Sequence, residues 1–374
     1  MTAALLAFAG FAALVILHEL GHFTAAKAVG MRVERFSLFF PPLLAKVRRG
    51  ETEYAIGAVP LGGYVKITGM NPQEEIPADV AHRAYYRQPV WKRIVVIAAG
   101  PAVNLVLAFL ILWALFWADG VARTDIGVNA VERDTPAAQV LRPDDLILSI
   151  DGVPGYRPDQ SDDEIERRLT ALTDAVAAKR CAGGATTDGC RAAEPVQVTV
   201  LRDGRRLTLP VRGFYDAELK RMRLGFSFGV PSTRPVGAGE AADLSVSAMW
   251  NVTTLTVDRI AKIFVSSDAR KDVSGVVGSY EATRQSFEFD TTQAIRILAL
   301  ISLSLGVINL FPFLPLDGGH IFWALAEKVR GRPIPFSVLE RASVVGIMLV
   351  GLLFIIGLSN DIGRITSGEG FGVR

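Results

Sequence analysis

Two histidines and a glutamate interrupt the first apolar segment of the chain. Ala3–Val29 otherwise has the composition of a transmembrane helix. Residues four apart on a helix share a face, with Cβ atoms about 5–6 Å apart, so His18 and His22 can direct two imidazoles at one metal ion. Glu19 lies one position further round, where its carboxylate can polarise a metal-bound water. The pattern His-Glu-x-x-His is typical of zinc hydrolases.

The position of this motif inside an apolar segment strengthens the interpretation. Charged groups in a transmembrane helix cost about 2.5–3.5 kcal/mol each, and they are retained where a partner stabilises them. A zinc ion is such a partner. The alternative is a pair of histidines and a glutamate that reach the membrane edge without binding a metal.

Hydropathy along the chain predicts an α-helical integral membrane protein with about four transmembrane helices. Overall composition does not decide this, because 50% hydrophobic and 21% charged residues would also suit a soluble protein. The first four residues lack the basic region of a signal peptide, so we expect the first span to be retained. Apolar runs of the required length lie near Ala3–Leu20, Ile94–Ala118, Ile297–Phe313 and Ala342–Ser359.

The distribution of basic residues predicts the orientation of the spans. Lysine and arginine are concentrated between the first two spans, and by the positive-inside rule this segment is cytoplasmic. The N-terminus, the long middle segment and the C-terminus then face the outside. The basic residues are Lys27, Arg32, Arg35, Lys46, Arg48, Arg49, Lys66, Arg83, Arg87, Lys92 and Arg93.

The cytoplasmic segment has strand character over Met31–Met70. The pair Gly62-Gly63, between Glu53–Val59 and Tyr64–Ile67, predicts a hairpin turn. Such a hairpin beside a membrane site can offer a strand edge to an unfolding substrate, although a plain loop fits the sequence equally well. His82, in the polar stretch that follows, is expected to be exposed to solvent.

The middle of the chain, 119–232, predicts a small α+β domain outside the cytoplasm. Its helix has apolar residues at Ile165, Leu169, Leu172 and Val176, and a strand pair follows about Asp203-Gly204. We expect a peptide groove near Ile126-Gly127-Val128.

An insertion at 177–194 holds the two cysteines of the chain, Cys181 and Cys190. On the outer face these predict a disulfide, with two free thiols as the alternative. Further on, Ala241–Val265 predicts an amphipathic helix on the membrane surface.

The third apolar segment ends in a broken helix that carries a carboxylate. Pro312 and Pro315 interrupt it just before Asp317, and His320 follows. Catalytic zinc takes three protein ligands and a water, so the two histidines need a third partner. We prefer Asp317, with His320 as the alternative that spacing does not exclude. In the second span, Asn104 places an amide at membrane depth, where it can bind either a substrate backbone or another helix.

Taken together, these motifs resemble the site-2 protease family of intramembrane zinc metalloproteases, in particular its regulator-of-sigma-E branch. The resemblance covers nearly the whole chain. Its strongest parts are His18–Phe23, Gly50–Tyr54, Pro60–Lys66, Gly100-Pro101 with Asn104, and Asn309–Gly319.

The resemblance implies roles for individual residues. His18, His22 and Asp317 would bind Zn²⁺, and Glu19 would be the general base. Asn104 and Asn309 would lie near the substrate path. Gly62, Gly63 and Tyr64 would belong to a membrane-associated β-element, and the middle domain would be PDZ-like.

The resemblance also implies a place and partners for the protein. It would lie in the bacterial inner membrane, with the active site towards the cytoplasmic side of the bilayer. Its substrates would be single-pass membrane proteins, such as anti-sigma factors or signal-peptide remnants, in regulated intramembrane proteolysis after an upstream site-1-type protease. No basic stretch interleaved with aromatic residues occurs, so nucleic acid is not an expected partner.

The chain departs from the family pattern at three points. Phe39-Phe40-Pro41-Pro42 stands where the family often has Gly-x-Gly, one PDZ-like domain is present where some relatives have two, and the cysteine-bearing insertion is unusual.

The predicted segments are 1–30 (first span), 31–93 (β-element and loop), 94–118 (second span), 119–232 (PDZ-like domain), 233–292 (amphipathic connector), 293–334 (third span and loop) and 335–374 (fourth span and tail).

Two other functions are compatible with parts of the sequence. A catalytically inactive PDZ receptor would not need Glu19 and the metal ligands, which are all present. A metal transporter would need further acidic or histidine residues in other spans, and the predicted second and fourth spans have none.

Overall fold

The computed structural model describes residues 2–71, 74–158, 160–184, 187–263, 265–266, 270 and 273–367. These divide into two compact units. The helical unit comprises Met1–Trp117 and Gly237–Arg374, and the sheet unit comprises Ala118–Val236.

Four helices of the described chain are long and apolar enough to cross a membrane. In the order of the chain they are α1 (Thr2–Ala28), α2 (Val90–Asp119), α6 (Thr291–Asn309) and α8 (Phe336–Ser367). A helix satisfies its own backbone hydrogen bonds, which lipid cannot do, so continuous helices are expected here. The prediction of four helices of this length and composition is confirmed for the described part of the chain.

Helix α1 fully buries one narrow stripe, and the rest of its surface is exposed or partly buried. The stripe combines small residues with the two motif histidines, so neighbouring elements can approach the motif closely. Its buried residues are Ala3, Ala7, Leu14, His18, Gly21, His22 and Ala26.

Helix α8 is longer than the predicted fourth span and contains a fully buried carboxylate, Asp361. The expectation that this span lacks acidic residues is therefore wrong for the complete helix. Asp361 accepts hydrogen bonds from the backbone N–H groups of Gly275 (3.0 Å) and Gly278 (2.7 Å), at the start of α5 (Val276–Phe289). A helix N-terminus stabilises a negative charge, which explains a carboxylate at this position.

The segment after α1 forms two long strands, β1 (Val33–Arg49) and β2 (Thr52–Ile67). The chain turns at Gly50 and Glu51, and Gly50 has a φ of 63°. Gly62 and Gly63 lie within β2, so the predicted hairpin turn at this glycine pair is wrong.

The two strands pair in more than one ladder. Arg35–Leu38 pair both with Glu53–Ile56 and with Gly63–Lys66. Close backbone approach explains the glycines of β2. At Gly57 a Cβ would lie 2.1 Å from the carbonyl oxygen of Phe40, and at Gly62 it would lie 2.9 Å from the Phe40 ring.

The β1–β2 turn is joined to α1 through Glu51. Its carboxylate accepts hydrogen bonds from Arg83 (2.6 and 2.9 Å) and from Lys27 near the end of α1 (2.5 Å). The Arg83 hydrogen bond, followed by that of Lys27, lowers the pKa of Glu51 from 4.5 to about 2. These contacts of Glu51 hold the turn in place. Gly50, the other residue of the turn, has no side chain that could do so.

This lowered pKa predicts a pH-dependent contribution to stability. The contribution of Glu51 is complete above the unfolded pKa of 4.5 and is lost as the pH falls through the folded value of about 2. In metal-free protein, Glu51→Gln should lower Tm at about pH 7 and have a much smaller effect at about pH 2, where the folded carboxylate is half protonated. Glu75→Gln, at an exposed position, is the control. A Tm difference that does not change with pH would contradict this assignment.

The sheet unit is built on an antiparallel sheet in the order β10-β3-β4-β6-β7, with β5 beside β4. A separate hairpin, β8–β9, follows β7. The strands are β3 (Val121–Val131), β4 (Leu146–Ile150), β5 (Val153–Pro154), β6 (Val196–Arg202), β7 (Arg205–Val211), β8 (Phe214–Asp216), β9 (Arg221–Arg223) and β10 (Phe226–Arg234).

Helix α3 (Asp162–Ala177) covers the core of this sheet. Ser161 caps its N-terminus by accepting a hydrogen bond from the backbone N–H of Glu164, and acidic residues occupy its first turn. The apolar positions predicted for this helix face the core. The β6–β7 turn is Asp203-Gly204, both at positive φ, as a two-residue hairpin turn requires.

The predicted groove at Ile126–Val128 is wrong. Strand β3 lies between β10 and β4, and both Ile126 and Val128 are fully buried. A peptide could be added only at an edge strand such as β10.

The insertion forms a small satellite core beside the β8–β9 hairpin. Cys181 and Cys190 are joined in a disulfide, with Cα atoms 5.8 Å apart, and they pack with Ala192 and Met222. A short loop of this kind buries few apolar side chains, so the covalent link replaces a larger core.

Helix α4 (Ala238–Ile263) corresponds to the predicted amphipathic helix. Met249 and Val252 pack against the small core formed by α2 and α6, whereas Trp250 is exposed. The predicted connector at 233–292 therefore contains two described helices, α4 and α5. The remaining helix, α7 (Asp317–Arg330), follows the break after α6.

Candidate metal centre

Three metal-ligating side chains meet where α1 faces the start of α7. They are His18, His22 and Asp317, and their ligand atoms lie within 4.8 Å of one another. The two histidines are 8% exposed, so the cluster is largely shielded from solvent. His320 is not part of this cluster, and among the described residues the structure thus brings together the preferred set.

The separations between the three ligand atoms match a tetrahedral zinc site. The Nε2 atoms of His18 and His22 are 3.3 Å apart, and each is 3.4 Å from Oδ2 of Asp317. Ligand atoms bonded to zinc at about 2.0–2.1 Å with tetrahedral angles lie about 3.3 Å apart. Two imidazoles and one carboxylate also leave a fourth position for water, as in catalytic zinc sites.

His22 is held in the orientation that a metal ligand needs. Its Nδ1–H donates a hydrogen bond to the carbonyl oxygen of Val96 on α2 (2.9 Å), which leaves the lone pair on Nε2 directed into the cluster. Gly100, one turn further along α2, lies against the same ring. A Cβ at Gly100 would be 2.2 Å from Nε2 of His22, so α2 can approach at this distance only with glycine.

His18 is oriented by Asn104, whose side chain is fully buried. The Asn104 amide nitrogen is 3.1 Å from Nδ1 of His18, and its Oδ1 has no hydrogen-bond partner. Binding zinc through Nε2 requires a proton on Nδ1, which must then donate a hydrogen bond. Exchanging the amide oxygen and nitrogen, which have nearly the same shape, gives this proton its acceptor. Asn104 thus contacts another helix, α1, and the residue that it contacts there is the metal-binding residue His18.

Asp317 reaches the cluster because the chain breaks between α6 and α7. The break, 310–316, folds back so closely that Gly318 and Gly319 touch its backbone. A Cβ would lie 2.1 Å from the carbonyl oxygen of Leu310 at Gly318 and 2.4 Å from the nitrogen of Leu314 at Gly319. Gly346 of α8 contacts the same break from outside. These glycines fix the position of the carboxylate.

A sequence model of Peptidase family M50 matches residues 6–353, which is most of the chain. The chain belongs to peptidase family M50.

Curated relatives of the chain match over nearly their full lengths. A protein of Nostoc sp. is 31% identical over 364 residues, covering 95% of this chain and 93% of the relative. A protein of Synechocystis sp. is 33% identical over 366 residues, covering 95% and 92%. One of Campylobacter jejuni is 28% identical, covering 94% and 91%. Each bears the name "Putative zinc metalloprotease". With its four apolar helices, the M50 chain is a membrane-embedded metallopeptidase that uses zinc.

Glu19, the expected general base, lies beside strand β2. A Cβ at Gly63 would be 2.9 Å from Cγ of Glu19 and 2.9 Å from the carbonyl oxygen of Ser37 on β1. Gly63 therefore lets the strand pass directly over the glutamate. The expected general base and the β-element implied by the resemblance are in contact.

Three other residues to which the resemblance gives a role, Gly62, Tyr64 and Asn309, have no contact with the metal ligands in the described part of the chain. Gly62 packs against Phe40, and Tyr64 stacks on the Phe40 ring while its hydroxyl accepts a hydrogen bond from Arg35 (3.1 Å). Asn309 is the last residue of α6, and no hydrogen bond joins it to the ligands in the described part of the chain. The kinked segment Phe39–Pro42 thus shapes this end of the sheet.

The groups that support the ligands could not be identified from the sequence. Val96 acts through its backbone carbonyl, which no side-chain motif reveals. Ser302 donates a hydrogen bond to the backbone carbonyl of Asn104 (2.9 Å), joining α6 to α2. Gly346 had no signal in the sequence, whereas Gly100 belonged to a recognised motif whose contact with His22 required the fold.

Proposed function

We propose that the chain hydrolyses peptide bonds within or beside the transmembrane helices of single-pass membrane proteins. The observation that carries the proposal is the position of His18 and His22, which are the seventeenth and twenty-first residues of the first apolar helix, Thr2–Ala28. A peptidase centre at this depth is accessible to bonds that lie in the membrane. Substrates of this kind include anti-sigma factors and signal-peptide remnants in regulated intramembrane proteolysis.

The proposed chemistry assigns separate roles to the residues of the centre. His18, His22 and Asp317 would hold zinc, which when bound would lower the pKa of a water ligand towards about 7 and polarise a carbonyl. Glu19 accepts the proton of the attacking water and transfers it to the leaving amine. Asn104 and Val96 keep both imidazoles in the tautomer that binds metal.

Strand β2 supports a way to present the substrate. A transmembrane helix resists hydrolysis because its carbonyl groups are hydrogen-bonded internally, so it must be unwound. Gly63–Lys66 pair with β1 on one side and have no strand partner on the other among the described residues. A substrate added at this edge would be extended and close to Glu19.

Cleavage of a reconstituted membrane-spanning reporter tests this function. We expect mass spectrometry of the products to place the cut within or beside the apolar segment. Chelation and His18→Ala should abolish cleavage, and zinc should restore it after chelation. His82→Ala is the matched control, because His82 is exposed and distant in sequence from the ligands. Cuts confined to extramembrane segments would refute the proposal.

The sheet unit is proposed to be a PDZ-like domain on the outer face of the inner membrane, with the metal centre towards the cytoplasmic side. An antiparallel sheet covered by one helix supports the domain type, and the basic residues between α1 and α2 support the orientation. An upstream protease of the site-1 type would then trim the external part of the substrate.

Thiol labelling tests this orientation. A cysteine at Glu218, exposed in the sheet unit, should react with an impermeant reagent in intact cells, and one at Glu75 only after permeabilisation. The native cysteines do not interfere while they form the disulfide. Labelling in the reverse order would invert the orientation.

A further inference from the structure

A buried ion pair joins the two helices that carry and support the metal ligands. Arg93, in the first turn of α2, donates hydrogen bonds from Nη1 and Nη2 to the two carboxylate oxygens of Glu327 on α7 (3.0 and 2.6 Å). The side chain of Arg93 is 4% exposed, and its guanidinium also lies over the Tyr86 ring at 5.9 Å. The Nε atom of Arg93 has no hydrogen-bond partner, so the acceptors for the Arg93 guanidinium come from Glu327.

The third ligand depends on the position of α7 more than the histidines do. His18 and His22 lie on one continuous helix, whereas Asp317 is the first residue of α7 and follows an irregular stretch. Helix α7 buries little apolar surface of its own: its fully buried residues are Gly318, Gly319 and Ala324, and Ile321 is partly buried against the core beside α1 and α2. Large side chains such as Val329, which is 90% exposed, make few contacts with the described protein. Apolar packing alone therefore fixes α7 weakly.

The ion pair is placed to supply the missing constraint. Glu327 is ten residues beyond Asp317, about 15 Å along the helix, so the pair holds the far end while the glycines hold the near end. Arg93 is one turn before Val96, which orients His22. The same short segment of α2 thus positions one histidine ligand and the helix of the carboxylate ligand. A planar guanidinium binding both carboxylate oxygens also sets the angle between the two helices.

We propose that Arg93 and Glu327 are positioning residues that set the distance from Asp317 to the two histidines. The inference rests on the proposed ligand set. It assigns the pair no contact with substrate and no part in proton transfer. Its effect is on the affinity and geometry of the metal site.

Zinc affinity of the full-length protein, measured by competition with a chelator, tests the proposal. Arg93→Gln and Glu327→Gln should each raise the zinc Kd by about 10- to 100-fold, as changes to groups behind metal ligands do. The double variant should bind zinc no more weakly than the weaker-binding of the two single variants, because the two residues act through one interaction. In the singles, the visible absorption of bound Co²⁺ should lose the intensity of a tetrahedral site.

Arg284→Gln is the matched control. It breaks the Arg284–Glu281 pair, which lies within α5 and joins no two elements, so it should leave the zinc Kd unchanged. Arg93→Lys keeps the buried charge but not the two parallel hydrogen bonds, and it should show an intermediate Kd even if Arg93→Gln does not fold.

The outcomes separate this inference from the function on which it rests. An unchanged zinc Kd in Arg93→Gln or Arg93→Lys, even with a lowered Tm, would make the pair purely structural and overturn the proposal. Zinc binding that survives His18→Ala would instead refute the ligand set.

Discussion

Glu19→Gln protein should retain zinc with wild-type affinity and lose cleavage by about 10²- to 10⁴-fold. Glutamine keeps the size of the side chain beside Gly63 but cannot accept the proton of the attacking water. The three groups that form the metal cluster do not include Glu19, so the ion should stay bound. Zinc content and turnover of the membrane reporter are measured on the same preparation.

Two further variants, His22→Ala and Glu75→Gln, are the controls for this result. The first should lose both zinc and cleavage, and the second, at an exposed position, should lose neither. Retained cleavage in Glu19→Gln would place the base elsewhere, and lost zinc would show that Glu19 belongs to the metal-binding set.

Gly100→Ala should weaken zinc binding by at least about 100-fold, although it adds one methyl group to a helix. That methyl group would lie 2.2 Å from Nε2 of His22, the atom that faces the other ligands. The ring cannot turn aside without breaking the hydrogen bond from its Nδ1 to Val96. Helix propensity favours alanine over glycine by about 1 kcal/mol, so the loss must come from the steric contact.

Gly351→Ala is the control for this prediction. Gly351 lies in the apolar helix α8, and a Cβ there meets nothing within 4 Å. The variant should bind zinc normally and unfold at the same temperature or slightly higher. Normal zinc binding in Gly100→Ala would mean that α2 can move away from α1 without disturbing the centre.

The sequence was most informative where the chemistry is local. His18 and His22 share a helix, so their spacing alone places both imidazoles on one face. The choice between Asp317 and His320 depended instead on how the chain folds back after α6, and no spacing rule contains that path. Asn104 was recognised as unusual at membrane depth, but its contact with His18 required the packing of α2 on α1.

Two misassignments have physical explanations. A glycine pair between β-prone runs usually marks a turn, but Gly62 and Gly63 serve close contacts with Phe40 and Glu19 inside a long strand. Hydropathy ended the fourth span at Ser359 because Asp361 is charged. The helix continues because that carboxylate finds its donors at the N-terminus of α5, a partner that hydropathy does not represent.

The metal ligands come from distant parts of the chain, and this orders the biosynthesis of the enzyme. Asp317 follows His22 by 295 residues. A ribosome that adds about 5–20 residues per second needs about 15–60 s to cover that distance. A nascent chain with α1 already in the membrane therefore lacks its third ligand throughout that interval, and neighbouring nascent membrane proteins are not exposed to a working peptidase until Asp317 has been made.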